Sequence, residues 1–140
     1  VALAAGADGV HLGQSDMPYE MARAMLGPDA LIGLSVETPE QAREAAGLDV
    51  DYLGVSPVFA TPTKTDAGPA WGLPGLAGLA AWSRHVLVGI GGIGPANAAQ
   101  VIQAGAHGVA VVSAICAADS PQQAAAALLA AVRAARGRGR

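Results

Sequence analysis

With 140 residues, 52% of them hydrophobic and 14% charged, the chain carries enough apolar surface for a core and lacks the composition of a disordered segment. A net charge of −3, with arginines scattered apart from the closing RAARGRGR, argues against a nucleic-acid face, and no apolar run reaches the length of a membrane span. Cys116 is the single cysteine, which excludes a disulfide framework and a cysteine metal cluster, and a cytoplasmic location is expected.

The opening VALAAGADGV has the pattern of a helix end running into a strand, so a missing beginning is expected. The first apolar run, 9–13 (GVHLG), leads through Gln14 and Asp16 into the helical stretch MPYEMARAML, which should stop at Gly27. Asp16 reads equally well as the N-cap of that helix and as a Mg²⁺ ligand. Arg23 is expected on a solvated face of the same helix. The second run, 31–36 (LIGLSV), ends near Ser35, a hydroxyl for a ligand or for nearby backbone. Thr38-Pro39-Glu40-Gln41 then predicts a capped helix, with Gly47 after its end.

The third run, 52–59 (YLGVSPVF), feeds the long loop TPTKTDAGPAWGLPG, which holds Thr61, Thr63 and Lys64, the only lysine. Trp71 and Trp82 are expected to pack. The fourth run, 86–90 (VLVGI), meets Gly91-Gly92 and a helix whose first turn is marked by Pro95 and whose end is marked by Gly105. The fifth, 108–113 (GVAVVS), is followed by a helix opening at Ser120-Pro121-Gln122-Gln123.

Short Val, Ile and Leu runs alternating with helices predict an α/β fold with a parallel sheet and strands buried on both faces. AGADGV and AGAHGV repeat the passage from helix to strand. The runs start at 9, 31, 52, 86 and 108, intervals of 22, 21, 34 and 22 residues, so the extra length lies in the loop after the third run. Loops of that length are usually functional.

In a parallel barrel the ligand groups come from the carboxyl ends of the strands. Those positions hold Asp16, Ser35, Thr61, Thr63, Lys64, Gly92 and Ser113: a carboxylate, hydroxyls, one cation and an unobstructed backbone. Gly91-Gly92 and Val112-Ser113-Ala114 offer amides to phosphate oxygens, although a tight turn also explains the glycines. Lys64 beside Thr61 and Thr63 suits a phosphate or pyrophosphate; solvation, or pairing with Asp66, is the plainer alternative. His11, His85 and His107 lie within or at the starts of strands and read as structural.

The segments ADGVHLGQSDMP, IGLSVETPEQA, YLGVSPVFATPTKTDAGPAWGL and VGIGGIGPANAAQVIQAGAHGVAVVSAI, in this order, resemble the thiamine-phosphate synthase family. The resemblance implies a (β/α)8 TIM barrel of which the five runs are strands 4 to 8, residues 1–140 forming a single partial barrel domain. It implies a transferase that joins a pyrimidinylmethyl group, carried as its pyrophosphate, to thiazole phosphate and releases pyrophosphate. Carried over by motif, Asp16 would bind Mg²⁺, Ser35 would contact the pyrimidine substrate, and Lys64 would hold the pyrophosphate. Thr61, Thr63, Gly92, Val112 and Ser113 would hold the thiazole phosphate. The implied partners are these small molecules, with a homo-oligomer left open.

Strands 1 to 3, a Q-x-R-x-K-like segment and an Asn-Asp pair of the family pattern are missing, so a piece of a longer enzyme is expected. A tautomerase-like or regulatory paralogue and a non-catalytic phosphate-binding remnant are the alternatives; Glu37, where tautomerase relatives tend to carry histidine, favours the synthase. Lys64→Ala is expected to slow the reaction far more than Arg23→Ala.

Overall fold

The structure, a computed structural model, describes residues 1–61 and 68–137. Five strands, β1 (Gly9–Leu12), β2 (Leu31–Val36), β3 (Tyr52–Val55), β4 (Val86–Ile90) and β5 (Gly108–Ala110), form one sheet in the order β1-β2-β3-β4-β5. Every neighbouring pair is parallel, as the strand and helix alternation predicts. The helices are α1 (Ala2–Ala5), α2 (Tyr19–Leu26), α3 (Pro39–Ala45), α4 (Gly72–Ala80), α5 (Ala98–Gln103), α6 (Ser113–Cys116) and α7 (Pro121–Gly137). Because all five strands run the same way, the loops leaving them gather along one edge of the sheet.

The expectation of strands buried on both faces is corrected among the described residues. Ile32, Val36, Leu53, Val55 and Leu87 point to one face and are buried with Ala42, Leu76, Leu79 and Val101 of the helices. Period-two alternation then assigns His11, Ser35 and Tyr52 to the opposite face, where Leu31 and Val86 are exposed. One layer of helices against one face of the sheet builds the core.

Three strands are shorter than their apolar runs, the first by the single residue Gly13. The third run leaves the sheet after Val55, where a cis peptide joins Ser56 to Pro57. The fifth stops at Ala110, and Ser113 opens the short helix α6 rather than ending a strand.

The helix punctuation is partly as expected. Thr38 caps α3 by accepting from the Gln41 amide at 3.3 Å with Pro39 at the first position, and Gly27 follows α2 at φ +85. Asp16 does not cap α2: Pro18 holds that position with no side-chain cap. Pro95 also lies outside the helix it was expected to open, since α5 begins at Ala98. Trp71 packs against the core, whereas Trp82 is 45% exposed.

Arg23 is the largest departure. Its side chain is 19% exposed, and its guanidinium donates to the carbonyls of Gly27, Ala30 and Asp49 at 3.0, 2.6 and 3.0 Å, with Asp51 3.9 Å away. An arginine fork meets several backbone oxygens at once, so it binds the end of α2 to the start of β2 and the approach to β3. The hydroxyl of Tyr19 reaches the same Asp49 carbonyl at 2.9 Å, and its ring lies 5.8 Å from the guanidinium.

Candidate active site

The loops after β3 and β4 are joined by backbone bonds that continue beyond the strands. The Val58 amide donates to Ile90 O at 2.7 Å and the Phe59 amide to Gly91 O at 3.1 Å. On its other side this segment accepts from Trp71 and Gly72, whose amides reach Pro57 O and Val58 O at 2.9 Å each. Both bases of the long loop are therefore fixed. Thr63 and Lys64, placed in that loop by the sequence, lie outside the described residues.

Gly91 and Gly92 have φ of +95 and +64, and this joining explains them. A Cβ on Gly91 would lie 2.8 Å from Pro57 Cβ, and one on Gly92 2.7 Å from Phe59 Cβ. The pair serves the close approach of two loops as well as an open backbone. Asn97 braces the following turn, its Oδ1 accepting from the Gly94 amide at 2.8 Å and its Nδ2 donating to Gly92 O at 2.9 Å.

These loops and the start of α6 enclose a cleft of about 520 Å³. Thr61, Gly92, Val112 and Ser113 all line it, together with Ser56 and Asn97. Four of the sequence-predicted site residues, from the ends of three strands, thus come together. Val112 and Ser113 are the N-cap and first residue of α6, and the first amides of any helix have no acceptor within it. Four residues are too few to show a helical period, so the apolar run 108–113 hides this helix start.

Asp16 and Ser35 are positioned by β1 and β2, away from the lining of the cleft. Asp16 folds back on its own loop: Oδ2 accepts from the Gly13 amide at 2.6 Å, and the Asp16 amide donates to Gly13 O at 3.2 Å. Gln14 crosses to β2, its amide donating to Ser35 O at 2.5 Å. Among the described residues no group of three or more His, Cys, Asp or Glu side chains converges as a metal cluster.

His11, read from sequence as structural, is in contact with a candidate site residue. Its Nε2 lies 2.8 Å from Ser35 Oγ and its Nδ1 2.9 Å from the Tyr52 hydroxyl, with the His11 and Tyr52 rings stacked at 5.4 Å. Burial lowers the His11 pKa from its ordinary 6.5, against an opposing pull from the Asp16 carboxylate. The signal available in the sequence was strand periodicity, which puts His11 on the opposite face from Val10 and Leu12.

Residues 1–115 match the family model described as thiamine monophosphate synthase, TMP-TENI. The thiamine-phosphate synthase of Albidiferax ferrireducens is 60% identical over 121 residues, 86% of this chain and 55% of that protein. That of Vibrio parahaemolyticus is 51% identical over 129 residues, 92% of this chain and 63% of its own length. The solved thiamine phosphate pyrophosphorylase from Pyrococcus furiosus superposes with a TM-score of 0.87 at 40% identity, covering 96% of this chain and 63% of that one. The chain thus spans 55–63% of the length of these relatives, less than two thirds. The agreement of sequence along residues 1–115 with the fold of a solved relative makes the chain a member of the thiamine monophosphate synthase family.

Proposed function

We propose that the protein carrying this sequence is a thiamine-phosphate synthase, which moves a pyrimidinylmethyl group from its pyrophosphate ester to thiazole phosphate in the cytoplasm. On this reading the five strands are strands 4 to 8 of a (β/α)8 barrel, and residues 1–140 are a single partial domain of it. The observation that carries the proposal is the cleft in which Thr61, Gly92, Val112 and Ser113 meet. Hydroxyls and backbone amides at the carboxyl ends of parallel strands suit the phosphate of the thiazole substrate.

In the transfer, the carbon–oxygen bond to pyrophosphate breaks with its electron pair leaving on the pyrophosphate. The thiazole nitrogen then donates its lone pair to the methylene carbon. No proton has to be abstracted to form that bond, so the work of the site is to hold both substrates and stabilise the departing charge. Lys64 takes the pyrophosphate, Thr61 and Thr63 the thiazole phosphate, and Ser35 the pyrimidine.

Asp16 fits a Mg²⁺ ion to this extent: one carboxylate oxygen is engaged by the Gly13 amide, and the group is a hard donor at a strand end. Mg²⁺ is commonly held by one or two carboxylates completed by substrate phosphates. When bound it would neutralise charge on the leaving pyrophosphate. Incubating the protein with both substrates and Mg²⁺ tests the proposal, with pyrophosphate and thiamine phosphate appearing in equal amounts as the expected result. Thiazole phosphate binding without any pyrophosphate release would leave a phosphate-binding remnant instead.

A further inference from the structure

The face of the sheet turned away from the helices carries a chain of three polar side chains from three adjacent strands. The Tyr52 hydroxyl on β3 meets His11 Nδ1 on β1, and His11 Nε2 meets Ser35 Oγ on β2. Two glycines on this face leave the space. A Cβ on Gly33 would collide with the Tyr52 ring, and one on Gly54 would lie 3.0 Å from His11 Cε1. The rings lie across strand positions that have no side chain. Val or Ile, the usual residues of such strands, would displace them.

The direction of the two bonds follows from the donors available. A phenol is a good donor and a weak acceptor, and among the described residues Nδ1 of His11 is the partner of the Tyr52 hydroxyl. If Tyr52 donates to Nδ1, the single proton of a neutral imidazole sits on Nε2, and that N–H donates to Ser35 Oγ. Burial, which lowers the pKa of His11, favours the neutral ring. Ser35 then has one lone pair engaged by the imidazole and its own proton left for a further partner.

We propose that Tyr52 and His11 are positioning residues that fix Ser35 as a hydrogen-bond donor towards the pyrimidine substrate. The proposal rests on the reading of Ser35 as the pyrimidine contact. It deepens that reading by giving the contact a polarity: Ser35 offers its proton to an acceptor atom, a ring nitrogen or an ester oxygen. It also separates Tyr52 and His11 from a packing role, because a role in packing would be indifferent to which imidazole nitrogen is protonated.

Two measurements on the protein carrying this sequence test it. Long-range proton–nitrogen correlation spectra of nitrogen-labelled protein near neutral pH should show His11 as the Nε2-protonated tautomer, and Tyr52→Phe should remove that bias. An Nδ1-protonated ring, or a ring unaffected by Tyr52→Phe, overturns the proposal. In binding of the pyrimidine pyrophosphate, His11→Asn should weaken affinity about fivefold, and His11→Gln, whose amide reaches the place of Nε2 with a donor, should recover most of it. Ser35→Ala should weaken binding as much as His11→Asn, with no further loss when the two are combined. Loss with Ser35→Ala but none with His11→Asn overturns the positioning role alone. No loss with Ser35→Ala overturns both that role and the reading of Ser35 on which it rests.

Discussion

Gly92 is pressed against Phe59. A Cβ added to Gly92 would stand 2.7 Å from Phe59 Cβ and 2.9 Å from the Ala60 carbonyl oxygen, and its φ of +64 is one that L side chains rarely adopt. Neither contact is with the far end of a flexible side chain, so backbone would have to move. The strained φ alone costs about 1–3 kcal/mol in a residue other than glycine. Gly92→Ala is therefore expected to lower stability by at least roughly 2 kcal/mol in urea unfolding and to weaken thiazole phosphate binding. Gly47→Ala, where a Cβ meets nothing within 4 Å and no positive φ is required, should stay within about 0.5 kcal/mol of the parent.

Asn97 holds both sides of the turn that forms one wall of the cleft, through Gly92 O and the Gly94 amide. Removing its side chain deletes two hydrogen bonds, each worth about 1 kcal/mol net. Asn97→Ala is expected to raise the dissociation constant for thiazole phosphate about tenfold by releasing the turn, measured by calorimetry. Asn97→Asp keeps the acceptor for Gly94 but turns the donor to Gly92 O into a second acceptor, so it should not restore affinity. Full affinity in either variant would show that the turn stands without the staple.

The parallel sheet was legible because strands buried against helices need apolar runs, and turn residues with capping signals separate those runs; its order came only through the family resemblance. Capping chemistry was legible where it is local, as at Thr38 and Gln41. It misled at Asp16, whose carboxylate reaches back to Gly13 and not forward to α2. The cleft was half legible: Thr61, Gly92, Val112 and Ser113 follow from strand ends, while the need for glycine at 92 depends on Phe59, more than thirty residues earlier. The contacts of His11 went unseen, and Arg23 was misread, for a related reason. Their partners, Ser35 and Tyr52 for one and Asp49 for the other, come from neighbouring strands and loops, and no local pattern reports which side chains meet across a sheet.

Arg23 supplies a prediction opposite to that of a solvated residue. Arg23→Ala takes the guanidinium donor from the carbonyls of Gly27 and Ala30 and leaves that of Asp49 only the Tyr19 hydroxyl, whereas Arg43→Ala removes only an exposed contact with Glu40 at 3.1 Å. Thermal unfolding should show a clear drop in Tm for Arg23→Ala and little change for Arg43→Ala. Lysine at 23, with a point charge in place of the fork, should rescue only in part. Equal Tm values for the two alanine variants would refute the bracing role.

Arg23 is consequently a poor control for Lys64, because a slower reaction in Arg23→Ala would report lost structure. Arg84 is exposed and serves better. Under saturating substrates Lys64→Ala should slow pyrophosphate release by about 100-fold, the scale of losing one charge-stabilising group, and Arg84→Ala should leave the rate within about twofold. Parity between the two would remove Lys64 from the pyrophosphate site.

His11 makes stability depend on pH with a definite sign. Burial lowers its folded pKa below the ordinary 6.5 and outweighs the opposing pull of Asp16. As pH falls below about 6.5 the unfolded chain takes up a proton that the folded protein resists, so unfolding becomes easier until the folded pKa is passed. The contribution is whole above that range and lost below it. Urea midpoints should therefore fall between pH 7.5 and 5.5, and they should fall less in His11→Gln, which has no proton to gain. The difference between the two proteins isolates this imidazole, because every other titrating group is common to both. A midpoint whose fall is the same in parent and His11→Gln would mean that the folded protein protonates His11 as readily as the unfolded chain does, and burial would then not be what sets its charge.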